Sequence, residues 1–148
     1  MIILGVDPGL SGAIAILDGK RITVLPMPIY RVGRKRVYDI AEITDLFIAA
    51  HPDLVAIEAI TRPGSLVGNG AFMHGVAMAM GVEVVRPRPQ VWKAHFGLAA
   101  NKAESIDLCH KLYPQTKSII TKKGQDGMAE AILIARYALE TSKGGSDD

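Results

Sequence analysis

The chain has 148 residues, 49% of them hydrophobic and 22% charged, with a formal net charge of +2. This is the composition of one globular domain with a full core, and it excludes a largely disordered chain. A single cysteine, Cys109, excludes an internal disulfide and suits a reducing compartment. No apolar run approaches the roughly 18 residues of a membrane helix, so a soluble, cytoplasmic protein without a membrane partner is expected.

Ile2 to Val6 is a short apolar run that reads as a strand buried on both faces, and it ends in Asp7. Pro8 and Gly9 suit a tight turn, and Ser11-Gly12 lead into a second apolar strand, Ala13 to Leu17. Asp18-Gly19 is a hairpin signal, after which Lys20 to Met27 completes a meander. Ile29 to Tyr38 reads as a basic, mobile loop. Asp39 caps a helix to about His51, with Ile40, Ile43, Leu46, Phe47 and Ala50 at helical spacing. Leu54 to Ile57 is a fourth strand, ending in a second acid, Glu58.

After a loop at Thr61 to Ser65, Asn69 to Met80 is helical, rich in small residues and methionine, and Val82 to Val85 is the fifth strand. Three helices follow: Gln90 to Phe96, one capped by Asn101 and running through Leu112, and Asp126 to Glu140. A polar, lysine-bearing loop, Thr116 to Gln125, precedes the last of them. Ser142 to Asp148 is expected to be a disordered polar tail behind a domain at 1–141. The order β-β-β-α-β-α-β-α-α-α predicts an α/β domain of ribonuclease H-like type: a mixed five-stranded sheet flanked by helices.

Asp7 and Glu58 each end a hydrophobic strand, and they become neighbours if the first and fourth strands lie side by side and parallel. Open α/β sheets place ligand sites at that edge. Asp7 also has a structural reading, as a turn residue bonded to its own backbone, although Pro8-Gly9 already supply the turn. Asp126 and Glu130 stand at i and i+4 on the last helix, so both project from one face and repel unless a cation lies between them. Asp126 could equally be a favourable acid in the first helical turn. Glu130 lies among Met128, Ala129, Ala131, Ile132 and Leu133, where a purely structural acid is hard to place. Four carboxylates with no cluster of His or Cys describe a hard-cation site for Mg²⁺ or Mn²⁺. Two such ions about 3.5–4 Å apart suit in-line displacement at a phosphodiester.

The charge distribution supports a polyphosphate partner. Lys20, Arg21, Arg31, Arg34, Lys35 and Arg36 lie in an acid-free span, and eight bases against two acids run from Val84 to Lys123. Arg31, Arg34, Lys35, Arg36, Arg62, Arg86, Arg88 and Lys93 are the candidate DNA-binding residues. Lys122 and Lys123, just before the acidic helix, are candidates to reach the scissile phosphate or are ordinary loop lysines. Trp92 reads as core, and the Gly70–Met80 helix as either a dimer surface or a helix packed on the sheet.

A strand–Asp–x–Gly opening is shared by actin-like kinases and ribonuclease H-like nucleases. The kinases need two such domains around a nucleotide, and this chain has the length of one. Gly5-Val-Asp7-Pro-Gly-Leu-Ser-Gly-Ala, the Val55-Ala-Ile-Glu58 strand, Gln90-Val-Trp-Lys93 before Gly97-Leu98, and Asp126-Gly-Met-Ala-Glu-Ala together resemble the RuvC-like Holliday-junction resolvases, most closely the short bacteriophage type. The resemblance implies a homodimeric, metal-dependent endonuclease that nicks a four-way DNA junction symmetrically, leaving 5′-phosphate and 3′-hydroxyl ends. It implies two Mg²⁺ ions and no small-molecule cofactor. Asp7 would bridge both ions, Glu58 would bind one, and Asp126 and Glu130 would complete the site. Glu130 aligns with the family's final acid; the acid or histidine before it stands three residues away in bacterial members, against four for Asp126 here. Bacterial members carry an aromatic shortly after the strand-four acid. This chain reads Ala59-Ile-Thr-Arg-Pro63, which keeps other branched DNA and RNA–DNA hybrids among the expected substrates, beside a non-catalytic binding module.

Overall fold

A computed structural model describes residues 1–60, 70–99 and 101–143. The central sheet has strands β1 (Ile2–Asp7), β2 (Ala13–Asp18), β3 (Arg21–Pro26), β6 (Leu54–Ile57) and β7 (Glu83–Val85), in the order β3-β2-β1-β6-β7. The first three form the expected antiparallel meander, while β1 pairs parallel with β6 and β6 with β7. Helices α1 (Ile40–Ala50) and α2 (Ala71–Ala79) cover one face. On the other lie α3 (Pro89–His95), α4 (Lys102–Leu112) and α5 (Asp126–Lys143). The mixed five-stranded sheet flanked by helices is the architecture expected from the sequence. Among the described residues no helix is long and apolar enough to cross a membrane.

The strand period of two sorts the core. From β1, Leu4 and Val6 point to α1 and α2, where they join Val55 and Ile57 of β6 around Phe47 and Met73. Ile3 of β1 and Leu54 and Ala56 of β6 point the other way, into the core built on α5. By the same alternation Asp7 and Glu58 project on the α5 side. Gly5 lies on that side too, and α5 passes directly over it. A Cβ added there would come within 2.7 Å of both the Ala135 backbone nitrogen and its Cβ, and closer still to the Ala131 carbonyl.

Three local expectations are corrected. Residues 29–38 are an antiparallel hairpin, β4 (Ile29–Val32) and β5 (Lys35–Tyr38), and not a mobile loop. Its two-residue turn begins at Gly33 with φ 63°, a left-handed conformation that glycine adopts without Cβ strain. The polar loop before α5 holds two 3₁₀ turns, Pro114–Ser118 and Lys123–Gln125. Helix α5 continues to Lys143, three residues past the expected end at Glu140. The loop at Thr61 to Ser65, with Arg62, lies outside the described residues.

Candidate active site

The parallel ladder between β1 and β6 extends one residue past the strands, where the Glu58 amide donates to the Val6 carbonyl at 3.0 Å. That bond brings the two acids to the same rim of the sheet. Beyond β1 the chain turns through a Gly12 N–H to Gly9 carbonyl bond of 2.8 Å, and the Asp7 Oδ1 accepts from the Gly9 amide at 3.3 Å. The turn-forming role is therefore real, and it also fixes the carboxylate. Helix α5 begins over this turn and brings Asp126 and Glu130 to a cleft of about 720 Å³ lined by Asp7, Ser11, Lys93, Lys102, Asp126 and Glu130, among others.

Burial and mutual repulsion perturb two of these acids. Burial, followed by the repulsion of Glu130 and Asp126, raises the Asp7 carboxyl to about 6, although the Gly9 amide and Lys93 act against it. Burial also raises Glu58 to about 7, and the charges of Asp7 and Glu130 add to the effect. Two lysines offset part of this negative charge. Lys93 Nζ lies 3.3 Å from Glu130, and Lys102 Nζ lies 3.4 Å from Asp126. The Lys102 side chain is 76% exposed and its pair is correspondingly weak.

The donor set is all oxygen, and no histidine or cysteine lines the cleft among the described residues. It fits a hard divalent cation. Among the described residues no three His, Cys, Asp or Glu side chains stand close enough together to hold one ion, and the lysines are paired with two of the four acids. Mg²⁺ is commonly held by one or two carboxylates, with water and phosphate oxygens filling the remaining positions, so the buried, mutually repelling carboxylates still suit it.

Trp92 is completely buried, as its expected core position requires. It also reaches the site: its indole N–H donates to Glu58 Oε2 at 2.8 Å, and Lys93 Nζ lies 5.3 Å from its ring centroid. The polar end of an otherwise apolar side chain was the available signal. Replacing it with Trp92→Phe is expected to move the Glu58 titration to higher pH, because the hydrogen bond holds that carboxyl down. The same change should cost roughly 1–3 kcal/mol of stability from lost packing and the lost charged hydrogen bond. Carboxyl NMR titration and thermal melting test both; an unmoved Glu58 titration would refute the positioning role.

The other candidates separate. Arg31, Arg34, Lys35 and Arg36 are exposed on the hairpin, and Arg88 is exposed just before α3. Arg86, expected on the DNA surface, is half-buried: its Nε donates to the Ile57 carbonyl at 3.1 Å and its Nη1 lies 3.4 Å from His74 Nδ1. It ties the end of β6 to α2 beside Glu58. Lys122 and Lys123 line a neighbouring groove with His110 and Ile120, not the acid cleft. Lys102 does line the cleft; the sequence marked it only as one of a basic run, because its approach to Asp126 depends on how α4 packs on α5. On α2, Met73 and Ala77 are buried against the sheet while Met78 is 65% exposed, so the packing reading holds for the inward residues.

Sheet order and helix placement give a ribonuclease H-like fold, the fold of the solved RuvC structures. Thermus thermophilus RuvC, solved with a Holliday junction substrate, superposes with a TM-score of 0.66 at 17% identity, over 99% of this chain and 97% of that one. The fowlpox virus Holliday junction resolvase gives 0.62 at 19% identity, covering 96% and 99%. In sequence, the chain is 29% identical over 134 residues to the chloroplastic Holliday junction resolvase MOC1 of Chlamydomonas reinhardtii, a match covering 87% of this chain. The chain spans only 14% of the length of that curated relative. No family model matches the chain.

Proposed function

We propose that this protein is a metal-dependent, structure-selective endonuclease that resolves four-way DNA junctions by paired symmetric nicks, leaving 5′-phosphate and 3′-hydroxyl ends. The observation that carries the reading is a cleft lined by Asp7, Asp126 and Glu130 beside Lys93 and Lys102, with Glu58 next to Asp7's strand end on the same sheet rim. Asp7 and Glu58 would hold Mg²⁺ or Mn²⁺, two ions per site, with Glu130 and Asp126 completing the set. Bound there, the ions would supply an activated water and charge stabilisation for phosphodiester hydrolysis.

The chain's own groups have separate tasks. Trp92 orients the Glu58 carboxylate, and the Gly9 amide orients Asp7. Lys93 and Lys102 can exchange their carboxylate partners for phosphate oxygens of the DNA strand. A two-fold junction calls for a two-fold enzyme, and the exposed Ala71, Gly75, Met78 and Ala79 of α2 offer a small-residue surface for a homodimer. Incubating the protein with a synthetic four-way junction, a flap, a linear duplex and an RNA–DNA hybrid, with Mg²⁺ or EDTA, tests the proposal. Paired symmetric nicks confined to the junction are expected. Preferential cutting of the hybrid would move the substrate to RNA–DNA duplexes, and no metal-dependent cutting of any substrate would overturn the nuclease reading.

The buried acids also predict a pH dependence of stability. Both carboxyls are raised on folding, Asp7 from 3.8 to about 6 and Glu58 from 4.5 to about 7. The folded state therefore binds their protons better than the unfolded state. Their contribution is complete below pH ~4 and is lost as pH rises through the folded values. Metal-free protein should lose about 5–10 °C in Tm between pH 5 and 8, and Mg²⁺ should restore much of it at pH 8. Melting in EDTA and in Mg²⁺ across this range checks the prediction. A Tm independent of pH in EDTA would contradict it.

A further inference from the structure

The hairpin between β3 and α1 has features that the acid cleft does not explain. Alternation along its strands puts Ile29, Arg31, Arg36 and Tyr38 on one face and Tyr30, Val32, Lys35 and Val37 on the other. The first face is anchored to the Asp7 turn at two points. The Tyr38 hydroxyl donates to the Pro8 carbonyl, and Arg36 Nη1 donates to Ser11 Oγ at 3.0 Å. Tyr38 packs further against Phe72, with ring centroids 5.3 Å apart. On the opposite face Tyr30 is 53% exposed and Val32 is 59% exposed.

Such an arrangement costs stability in isolation. Arg31 and Arg36 are directly paired across the strands, and like charges so placed repel. The outer face leaves an aromatic and a branched aliphatic side chain in water within an acid-free span of six bases. An apolar protein partner would not explain the charge, and a phosphate backbone alone would not explain Tyr30 and Val32. A nucleic acid with exposed bases satisfies both, because aromatic side chains stack on unpaired bases while arginines neutralise adjacent phosphates.

We infer that the β4–β5 hairpin is a DNA-engaging finger, in which Tyr30 and Val32 lodge against unstacked bases at the branch point while Arg31 and Lys35 take the flanking phosphates. The inference rests on the nuclease reading for its DNA substrate. The two anchors to the Asp7 turn make the finger a ruler, setting the distance between the opened bases and the scissile phosphate. Tyr30 and Val32 are thereby specificity-determining residues for branched over linear DNA.

The test uses the full chain with Tyr30→Ala and Val32→Ala combined, two exposed positions whose loss should leave Tm close to wild type. A junction carrying 2-aminopurine at the branch point reports base unstacking, and Asp7→Asn in both proteins allows binding to be read without cutting. The Asp7→Asn protein should raise the fluorescence, and the triple variant should bind yet lose most of that rise. With Asp7 restored, the double variant should cut the intact junction roughly tenfold more slowly than wild type, while a junction already containing unpaired bases at its centre is cut at close to the wild-type rate. An unchanged fluorescence rise, or equal slowing on both junctions, would overturn the finger. A Tyr30-dependent rise in a wild-type protein that cuts no DNA would uphold the finger and sink the nuclease reading. A wild-type cutter indifferent to both substitutions would do the reverse.

Discussion

Asp7→Asn is expected to abolish cleavage, by at least about a thousandfold, while junction binding is retained or strengthened. The side chain lies on the sheet rim beside three other acids, and its carboxyl is raised to about 6 by burial and by Glu130 and Asp126. Asparagine keeps the size and can still accept the Gly9 N–H through its amide oxygen. What it removes is the negative charge, and with it the proposed hold on a divalent cation. A negative charge near a phosphate opposes DNA approach, so its removal favours binding even as it stops chemistry. The neutral side chain should also make the metal-free protein more stable at pH 8 and flatten its pH dependence. Cleavage and gel-shift assays on one junction, with melting in EDTA, separate these effects. A variant that cuts at the wild-type rate would remove Asp7 from the active site.

The second large effect is expected where the last helix crosses the sheet. Gly5→Ala places a methyl group where α5 crosses β1, within 2.7 Å of two atoms of Ala135 and nearer still to the Ala131 carbonyl. Two of the three contacted atoms belong to the backbone, so no flexible side chain can swing aside. Overpacking of this kind costs about 3 kcal/mol, or roughly 10 °C in Tm for a chain of this length. Because α5 also carries Asp126 and Glu130, lifting the helix should misplace both acids and slow cleavage even below the melting transition. A Tm within about 2 °C of wild type would mean that the helix can shift without loss.

The legible parts of the site were those carried by alternation and by position within an element. Asp7 and Glu58 could be placed together because each ends an apolar run, and parallel neighbours share their carboxyl ends. Glu130 was legible as an acid in apolar company. The hairpin was hidden because the density of charge in Arg34-Lys35-Arg36 resembles a solvated loop, and the alternation is short; Gly33 was the one local sign of a turn. The Arg86 contacts with the Ile57 carbonyl and His74 were not legible, because a basic residue beside Pro87 and Arg88 has the local pattern of plain surface. Lys102 and the indole of Trp92 join the site through tertiary packing, of α4 on α5 and of α3 beneath Glu58, which no local pattern encodes.

The acids that meet on the rim are spread from residue 7 to residue 130, and the element that completes them is the last helix of the described chain. During synthesis, the first four strands of the central sheet emerge from the ribosome well before the helix that must cover them. A nascent or prematurely ended chain lacking residues beyond 125 would carry Asp7 and Glu58 but neither of their partners. It would also leave the apolar face of β1 and β2 uncovered. An unfinished copy would therefore lack two of the four acids that the proposed cleavage needs, and would be exposed to the proteases that clear incomplete chains.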